Sequence, residues 1–452
     1  MQDASLFVPL FATAAMREVF SDTARLQAML DFESALAGAQ AACGTIPVTA
    51  APAIARACDA ARFDLRALAQ ATALAGNAAI PLVRALRNAV AAQDEQAARH
   101  VHQGATSQDC IDSGLVLQLQ RAYALLDVDV GRLGDTLCDL AVAQAATVMP
   151  GRTLLQQAEP VSFGLKIAGW LDALSRSRHR LRAAAHAVNV IQCGGATGSL
   201  AAFGARGLEV AAALAQTLGA ALPTLPWHSQ RDRLVDLGGA LAILIGSLGK
   251  MARDVALLAQ TEVGEVAEPL APGRGGSSVL PHKQNPIGCA VALAAAAQAP
   301  GLQATLLGAM TQEHERGLGG WHAEWETLPR LCLLASGALA QMNEVLAGLR
   351  VNPARMRENL AADGGLMFAP ALAQALAVHW GAGAAHDRVT EWCRIAQREG
   401  CQLREIAGRL EEVTRVLDAA TLDAVFDPEA QLGLAAALIA RAADAWRAAQ
   451  PA

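Results

Sequence analysis

The sequence has little charge and few aromatic side chains. Of its 452 residues, 17% are Asp, Glu, Lys or Arg and 4% are Phe, Trp or Tyr, and the formal net charge is −6. It also has no run of basic residues. Because nucleic-acid binding depends on clustered Lys and Arg, this composition argues against a nucleic-acid partner. Ala and Leu are abundant instead, with few β-branched runs, which favours helix over strand.

Paired cysteines are also lacking. Nine cysteines lie scattered between Cys43 and Cys401, their number is odd, and no two form a CxxC motif. This pattern is typical of reduced thiols in a cytoplasmic protein rather than of a disulfide framework or a zinc site. The N-terminal MQDASLFVPLF has no basic segment before its short apolar run, so we expect no signal peptide.

Residues 287–312 contain no charged side chain. An uncharged segment of this length is long enough to cross a bilayer. The segment is rich in Ala, however, and Gln298, Pro300 and Gln303 interrupt its apolar character. Small residues allow close helix packing inside a protein. We therefore interpret this segment as a helix buried on several sides rather than as a membrane span, and we expect no membrane association.

Apolar residues recur in steps of three and four along five long segments, a spacing typical of helices with one apolar face. These segments are residues 116–140, 167–188, 234–258, 287–310 and 328–349. Helices of this length are not stable alone in water, so they must pack on one another or on copies from other chains. We therefore predict an all-α fold with an N-terminal helical domain at 1–110, a central bundle of about five long helices at 111–350, and a small helical domain at 351–452.

A polar loop, GRGGSSVLPHKQNP at residues 273–286, separates two of these apolar segments. Asn285 and Pro286 are typical of a helix start, and a helix N-terminus favours anions. Lys283 adds a positive charge beside it. The residues alone indicate either an anion-binding loop or a plain surface loop before a capped helix. The GxxxxGK[ST] pattern of a nucleotide-binding loop is absent.

GGSSVLPHKQNP resembles the GSSxMPxKxNP loop of the fumarase/aspartase superfamily, which includes argininosuccinate and adenylosuccinate lyases. GATSQDCIDSG at 104–114 (the first block) and GRTLLQQAEPVSFG at 151–164 (the second block) resemble two further motifs of that superfamily, in the expected order. The resemblance implies a three-domain fumarase/aspartase-like fold and a loop that closes over the substrate.

The resemblance also implies roles for individual residues. Ser277 corresponds to the catalytic base of the family loop, and Lys283 and Asn285 correspond to residues that hold a substrate carboxylate. The further substrate contacts that it implies are Asn77, His102, Thr106, Ser107, Gln156, Gln157, Ser278 and Arg316.

Several of these residues have a structural alternative. Thr106 and Asp109 have the spacing of a capping box, with Asp in place of the usual Glu. His102 taken alone is more typical of a hydrogen-bonded structural histidine. Arg316 fits a carboxylate clamp and a surface ion pair equally well. The same two alternatives stay open for the basic residues His228, Arg231 and Arg233.

Three positions depart from the family pattern. Leu154 stands where adenylosuccinate lyases have a histidine that acts as general acid, Gln157 stands where related cycloisomerases have histidine, and Gln284 stands where arginine is common. Gln cannot exchange a proton near neutral pH, so the general acid has no assigned residue. We expect no metal, because HExxH is absent and no cysteine lies at zinc-binding spacing.

Five further segments, from AMREVFSD near the N-terminus to VNPARMRENL at 351–360, resemble the carboxymuconate cycloisomerases of this superfamily. The resemblance implies a cofactor-independent isomerase that closes a lactone ring on 3-carboxy-cis,cis-muconate, a polycarboxylate of protocatechuate degradation, through an aci-carboxylate intermediate. It also implies a homotetramer whose active sites combine blocks from three subunits. The alternatives are a fumarate-releasing lyase of the same superfamily and a non-catalytic helical oligomer.

Overall fold

The computed structural model describes residues 6–276, 279–280 and 282–449, and the predicted all-α class is confirmed. Two two-stranded sheets and one isolated bridge are the β-structure of this part of the chain. In chain order the elements are α1 Val8–Phe11, α2 Ala14–Val19, α3 Asp22–Ala42, α4 Ala50–Ala57, α5 Leu65–Ala75, α6 Ala79–Ala91, α7 Glu95–Ala98, α8 Ser107–Ala143, β1 Val148–Thr153, β2 Gln156–Ser162, α9 Phe163–Val188, α10 Gly207–Leu218, α11 Asp232–Leu258, β3 Val266–Ala267, α12 Ile287–Ala309, α13 Gly320–Ala347, β4 Arg350–Val351, α14 Pro353–Ala361, α15 Ala369–Trp380, α16 Ala382–Glu399, α17 Leu403–Arg409, α18 Glu411–Thr414, α19 Ala419–Val425 and α20 Ala435–Ala448. Short 3₁₀ helices lie at Ala60–Arg62, Ala201–Arg206 and Leu366–Phe368.

The five predicted apolar segments correspond to the five longest helices that follow residue 106. They are α8, α9, α11, α12 and α13, with 37, 26, 27, 23 and 28 residues. Pro300 lies inside α12, which continues on both sides of it. The predicted helix start at Asn285 and Pro286 is close to the observed one, since α12 begins at Ile287.

The chain divides into two compact units, which we call unit 1 and unit 2. Unit 1 consists of Met1–Val130, Ser177–Gly249 and Val291–Ala340. Unit 2 consists of Gly131–Arg176, Lys250–Ala290 and Gln341–Ala452. Every boundary between them falls inside one of the five long helices. The three domains predicted as contiguous stretches of sequence stay a prediction.

In unit 1 the long helices pack closely. Gly238 of α11 faces Leu306 of α12 and Leu331 of α13, and a Cβ atom placed on this glycine would lie only 2.4 Å from Leu306 Cδ1. Arg178 of α9 donates to Asp127 of α8 at 2.9 Å. The first contact joins α11, α12 and α13, and the second joins α8 and α9. A contact between Ser177 of α9 and Ser247 of α11 links the two groups, so the unit 1 portions of the five helices form the predicted bundle.

The N-terminal helices of unit 1 have an apolar core of their own. It is built mainly from α3, α4, α6 and α10, whose buried side chains include Leu36, Ile54, Leu86 and Leu214. Ser21 caps the start of α3, because its Oγ accepts the backbone N–H of Ala24 at 3.1 Å. This core supports the polar segment that leads into α8.

Unit 2 contains a β-hairpin that the sequence did not predict. β1 and β2 pair antiparallel, with Val148 opposite Ser162 and an irregularity in register between Pro150 and Arg152. VMPGRT and QQAEPVS lack the alternation of polar and apolar residues by which a strand is recognised, so the pattern contained no strand signal. This hairpin holds most of the second block.

Two helices, α11 and α12, are long and apolar enough to cross a membrane, judged by length and composition. The most apolar stretch of α11 is 61% buried within the chain, but that of α12 is only 28% buried. One chain therefore leaves much of α12 open, and the expectation that this helix is buried on several sides, which included packing on other chains, stays a prediction. Its open side carries small and apolar residues such as Ala297, Gly301 and Leu307, because this helix has no charged face and one chain supplies too few neighbours to cover it.

Gly134→Ala should destabilise unit 2. Gly134 of α8 lies against the Trp446 indole of α20, and an added Cβ would lie 1.9 Å from Trp446 Cζ2. The indole cannot move away freely, since its Nε1 donates to Asp135 Oδ1 at 2.8 Å. We expect the free energy of unfolding, measured by urea denaturation, to fall by about 1–3 kcal/mol. Gly38→Ala in α3 is the control, because its methyl group meets open space; equal stability of the two variants would contradict the tight packing.

Candidate active site

The first block places a buried carboxylate at the start of α8. Asp109 accepts the backbone N–H groups of Thr106 (3.0 Å), Gly194 (3.0 Å) and Gly195 (2.9 Å), and His228 Nε2 donates to it at 2.7 Å. Four donors offset the cost of removing a carboxylate from water. The bond from Thr106 is one half of the capping box that the sequence indicated. Asp109 therefore fixes the first block in place, and its oxygens are already engaged by the protein.

The structure brings two predicted substrate contacts of unit 1 together. Arg316 Nη2 donates a hydrogen bond to Thr106 Oγ1, and both side chains are half-buried. The surface ion pair considered for Arg316 is not found, since its guanidinium contacts no carboxylate of the described residues. Ser107, the first residue of α8, lies beside Thr106 and is also half-buried. A guanidinium and two hydroxyls at a helix N-terminus form a suitable site for a carboxylate.

A buried ion cluster supports this part of unit 1. The Arg231 guanidinium is 1% exposed and lies between two carboxylates, at 2.7 Å from Asp112 and 2.6 Å from Glu324. Trp321 Nε1 also donates to Asp112 at 2.9 Å. Burial raises the pKa of Glu324 even though Arg231 opposes the shift. The cluster ties α8 to the helix that follows Arg316, so both alternatives considered for Arg231, a substrate clamp and a surface pair, are wrong.

Two other predicted contacts of unit 1 are engaged within the protein. His102 Nδ1 lies 2.6 Å from Glu33 Oε1, so this histidine has a buried carboxylate partner. Asn77 Oδ1 accepts the backbone N–H of Ile80 at 3.2 Å at the exposed start of α6. The structure thus gives Asn77 a turn-forming contact, while its predicted substrate contact stays a prediction.

The polar loop lines a cleft in unit 2. Lys283 and Asn285 border this cleft of about 650 Å³, together with His282 and Arg274. Asn285 is anchored through its backbone N–H, which donates to Gly275 O at 2.9 Å. The Lys283 ammonium makes no ion pair with the described residues and is exposed. The predicted base Ser277 and its neighbour Ser278 lie outside the described residues.

The N-terminus of α12 already holds an anion, and that anion belongs to the protein. Glu268 accepts the backbone N–H groups of Gly288 (3.1 Å) and Cys289 (2.8 Å), and Arg274 lies 3.5 Å from the same carboxylate. An anion site at this helix start was one of the two alternatives that the sequence indicated. A side chain from the preceding segment takes it instead, because a carboxylate offsets both the unpaired N–H groups and the helix dipole. Lys283 thus remains the available cation of the cleft.

The second block lines a different cleft of unit 2, of about 980 Å³. Gln156 and Gln157 border it, and Gln157 Nε2 donates to the backbone oxygen of Asn359 at 3.3 Å. Arg152 is not free to bind substrate, since the buried Glu265 engages both of its terminal nitrogens at 2.6 and 2.8 Å. No residue lines both clefts.

Ion pairing distinguishes the cations of the motif segments. Four Lys or Arg side chains lie in the loop, the second block and the segment at 312–329. Glu265 neutralises Arg152, and Glu268 and Glu344 neutralise Arg274. Lys283 and Arg316 have no carboxylate partner among the residues that the structure describes. Within these three segments, Lys283 and Arg316 are therefore the cations left uncompensated for an anionic ligand.

Backbone strain is concentrated in the same segments. Five described residues other than glycine have a positive φ, and four of them lie in or beside the motif segments. These are His102 (60°), Leu154 (51°), Leu155 (66°) and His314 (47°). Leu154 and Leu155 form the two-residue turn of the β1–β2 hairpin and are 98% and 75% exposed, although Asn and Gly fit such a turn best. Strain of this kind is typical of functional sites.

Gln284, which stands where the family loop commonly has arginine, is contacted by an arginine from another segment. Arg350 Nη2 of β4 donates to Gln284 Oε1 at 2.6 Å, so a guanidinium reaches the position where the family loop commonly carries arginine. This contact was not predictable from the sequence, since the two residues are 66 positions apart.

Thiol and metal chemistry find little support in the described part of the chain. No group of three or more His, Cys, Asp or Glu side chains there has the arrangement of a metal site. All nine cysteines are free, and burial raises the pKa of Cys58 and Cys332 to about 12. Such thiols stay protonated at neutral pH and are poor nucleophiles.

Sequence reasoning missed most of the buried carboxylates. Glu33, Asp112, Glu268 and Glu324 all have specific partners in the structure. For Glu33 a signal existed, because it lies on the apolar face of α3, three residues after Leu30 and three before Leu36. A charged residue at such a core position requires a partner.

Arg231→Met should cost about 3–5 kcal/mol in the free energy of unfolding, because it leaves Asp112 and Glu324 buried without a counter-charge. Chemical denaturation followed by circular dichroism measures the loss. Replacing all three residues, with Asp112→Asn and Glu324→Gln added, should recover part of it. Arg415→Met, which removes an exposed pair with Glu411, is the matched control with an effect below about 1 kcal/mol. Similar losses in Arg231→Met and the control would show that the cluster is not important for stability.

The comparisons with known proteins agree with one another. A family model described as Lyase matches residues 11–301. The 3-carboxy-cis,cis-muconate cycloisomerase of Pseudomonas aeruginosa is 54% identical over 97% of this chain and 95% of its own length. The crystal structure of 3-carboxy-cis,cis-muconate lactonizing enzyme from Pseudomonas putida superposes with a TM-score of 0.94 at 49% identity, covering 98% of this chain and 99% of the other. A fumarate lyase structure from Mesorhizobium gives 0.89 at 38% identity, covering 96% and 98%. The chain therefore belongs to the lyase family of the fumarase/aspartase superfamily, which its loop and two blocks resemble.

Proposed function

We propose that the protein is a cofactor-independent cycloisomerase that converts 3-carboxy-cis,cis-muconate to a carboxymuconolactone in protocatechuate degradation. The observation that carries this proposal is the pair of uncompensated cations, Lys283 and Arg316, in the loop and in the segment at 312–329, where Arg274 and, in the second block, Arg152 are neutralised. They suit a substrate with several carboxylates. The relative of the same name in Pseudomonas aeruginosa, at 54% identity, supports this substrate over others of the family.

In the proposed reaction one substrate carboxylate adds to a conjugated double bond and closes the lactone. Electron density moves into a neighbouring carboxylate, which becomes an aci-carboxylate with additional negative charge. Preorganised donors that face developing charge are usually the largest contribution to catalysis. Lys283, Asn285 and the loop amides are suited to this role, while Thr106 and Arg316 hold a second carboxylate.

A proton must then reach the carbon that bore the negative charge. The family loop assigns this step, in the reverse direction, to a serine at the position of Ser277. We infer the same role for Ser277 here, with the loop donors lowering the cost of its ionisation. No cofactor is required, since the nucleophile belongs to the substrate and no electrons leave it.

We also infer a cytoplasmic homotetramer with active sites shared between subunits. In one chain the candidate residues fall into three groups: Thr106 with Arg316, the second block at its own cleft, and the loop at another. The open, uncharged side of α12 provides a surface that other copies can cover. The free thiols are consistent with a reducing compartment.

Incubation with 3-carboxy-cis,cis-muconate should cause loss of the diene ultraviolet absorbance and formation of a lactone. Incubation with fumarate-releasing substrates of the superfamily separates the alternative, since a lyase would form fumarate instead. If neither reaction occurs with the assembled protein, the non-catalytic oligomer becomes the better description.

Lys283→Met should lower kcat/KM by about 10²–10³-fold, because it removes a charged donor from the developing aci-carboxylate. Ser277→Ala should abolish turnover and leave the fold intact. Lys250→Met is the matched control, since Lys250 is exposed and pairs only with Asp254 one turn away, and it should retain activity. Steady-state kinetics with circular dichroism of each variant measure both effects. Turnover by Ser277→Ala at the wild-type rate would exclude that serine as the proton-transfer residue.

A further inference from the structure

Glu33 is a buried carboxylate outside every motif that the sequence revealed. It lies on α3 among apolar neighbours and is 1% exposed. Its Oε1 lies 2.6 Å from His102 Nδ1, and its Oε2 accepts no hydrogen bond of normal geometry from the described residues. A carboxylate buried with so few donors needs a positive partner, because desolvation alone costs several kcal/mol by the usual order of magnitude.

His102 is the residue that can supply that charge. The charged groups facing its ring are Glu33 on α3, Asp109 on α8 and Arg87 on α6. Burial on its own lowers the pKa of His102 and Arg87 lowers it further, but the two carboxylates outweigh both, so the pKa is raised above its ordinary value. The pair therefore favours an imidazolium and a carboxylate, in a segment that leads directly into the first block.

The backbone of His102 indicates that its orientation is fixed. Its φ of 60° is left-handed, which costs a residue other than Asn or Gly about 1–3 kcal/mol. The ring is held on one side through Nδ1, while Nε2 bonds to none of the described residues and the side chain is 14% exposed. Four residues further along the chain, Thr106 carries the bond from Arg316.

We propose that Glu33 is a positioning residue that holds His102 as an imidazolium and leaves its Nε2 free to donate to a substrate carboxylate bound at Thr106 and Arg316. The inference rests on the proposed function for its substrate. His102 then provides a cationic donor, which Gln157 at the position of the related enzymes' histidine cannot provide. Glu33 itself touches no substrate and acts through His102.

Glu33→Gln tests the pair, because it keeps the shape of the side chain and removes the charge. In the wild type, kcat/KM should fall at high pH as His102 loses its proton, and in the variant this fall should begin at lower pH. Each unit by which the pKa drops reduces the protonated fraction about ten-fold at a pH above both values. His102→Asn, which tolerates the left-handed backbone, should remove this limb altogether. Glu209→Gln, at an exposed pair with Arg206, is the control and should keep the wild-type profile.

The pH dependence of stability provides a readout that needs no substrate. Because the folded protein raises the pKa of His102 above 6.5, the pair's stabilisation is complete below that pH and is lost as the pH rises through the raised value. The difference in free energy of unfolding between wild type and Glu33→Gln should therefore be largest below pH 6.5 and shrink above it.

The outcomes separate this inference from the proposed function. A wild type that forms no lactone would overturn the proposed function, and with it the substrate that His102 is inferred to contact. An active wild type whose pH profile and stability difference are both unchanged by Glu33→Gln would overturn the positioning role alone. A constant loss of stability at every pH, with an unmoved activity limb, would do the same, because it is what a purely structural contact produces.

Discussion

The placement of buried carboxylates governs the structure around the candidate site. Asp109 accepts the backbone N–H of Thr106 at the start of α8, and Glu268 occupies the start of α12, so the protein itself supplies a carboxylate at both helix starts. Arg231 is neutralised from two sides. This internal compensation makes the exceptions informative, since an arginine or lysine left without a partner in such surroundings is available to an external anion. In the loop, the second block and the segment at 312–329, Lys283 and Arg316 are the two cations without such a partner among the described residues.

Apolar periodicity was sufficient to predict the five long helices, because the pattern depends on residues close together in sequence. The hairpin of the second block was not predictable, as its strands lack alternation and its turn uses Leu154 and Leu155 instead of Asn and Gly. The buried ion cluster was equally inaccessible, since Asp112 and Arg231 are 119 positions apart. The motif resemblance located the candidate residues, but only coordinates could separate paired cations from unpaired ones.

Several features of the site are unfavourable for stability when considered alone. A left-handed histidine, two left-handed leucines at an exposed turn and a nearly unpartnered glutamate each cost free energy. They lie in or directly against the segments that the family resemblance connects with the substrate. A fold optimised only for stability would replace them with Asn, Gly and an apolar side chain. Their concentration in a few segments is what a site preorganised for an anionic ligand is expected to show.

The uncovered side of α12 also affects the solubility of a newly synthesised chain. A helix of 23 residues without a single charge, buried over little more than a quarter of its most apolar stretch, is adhesive until other surfaces cover it. A chain with this side uncovered is therefore prone to aggregation. The proposed homotetramer would remove this hazard, because other copies would cover the open side of α12.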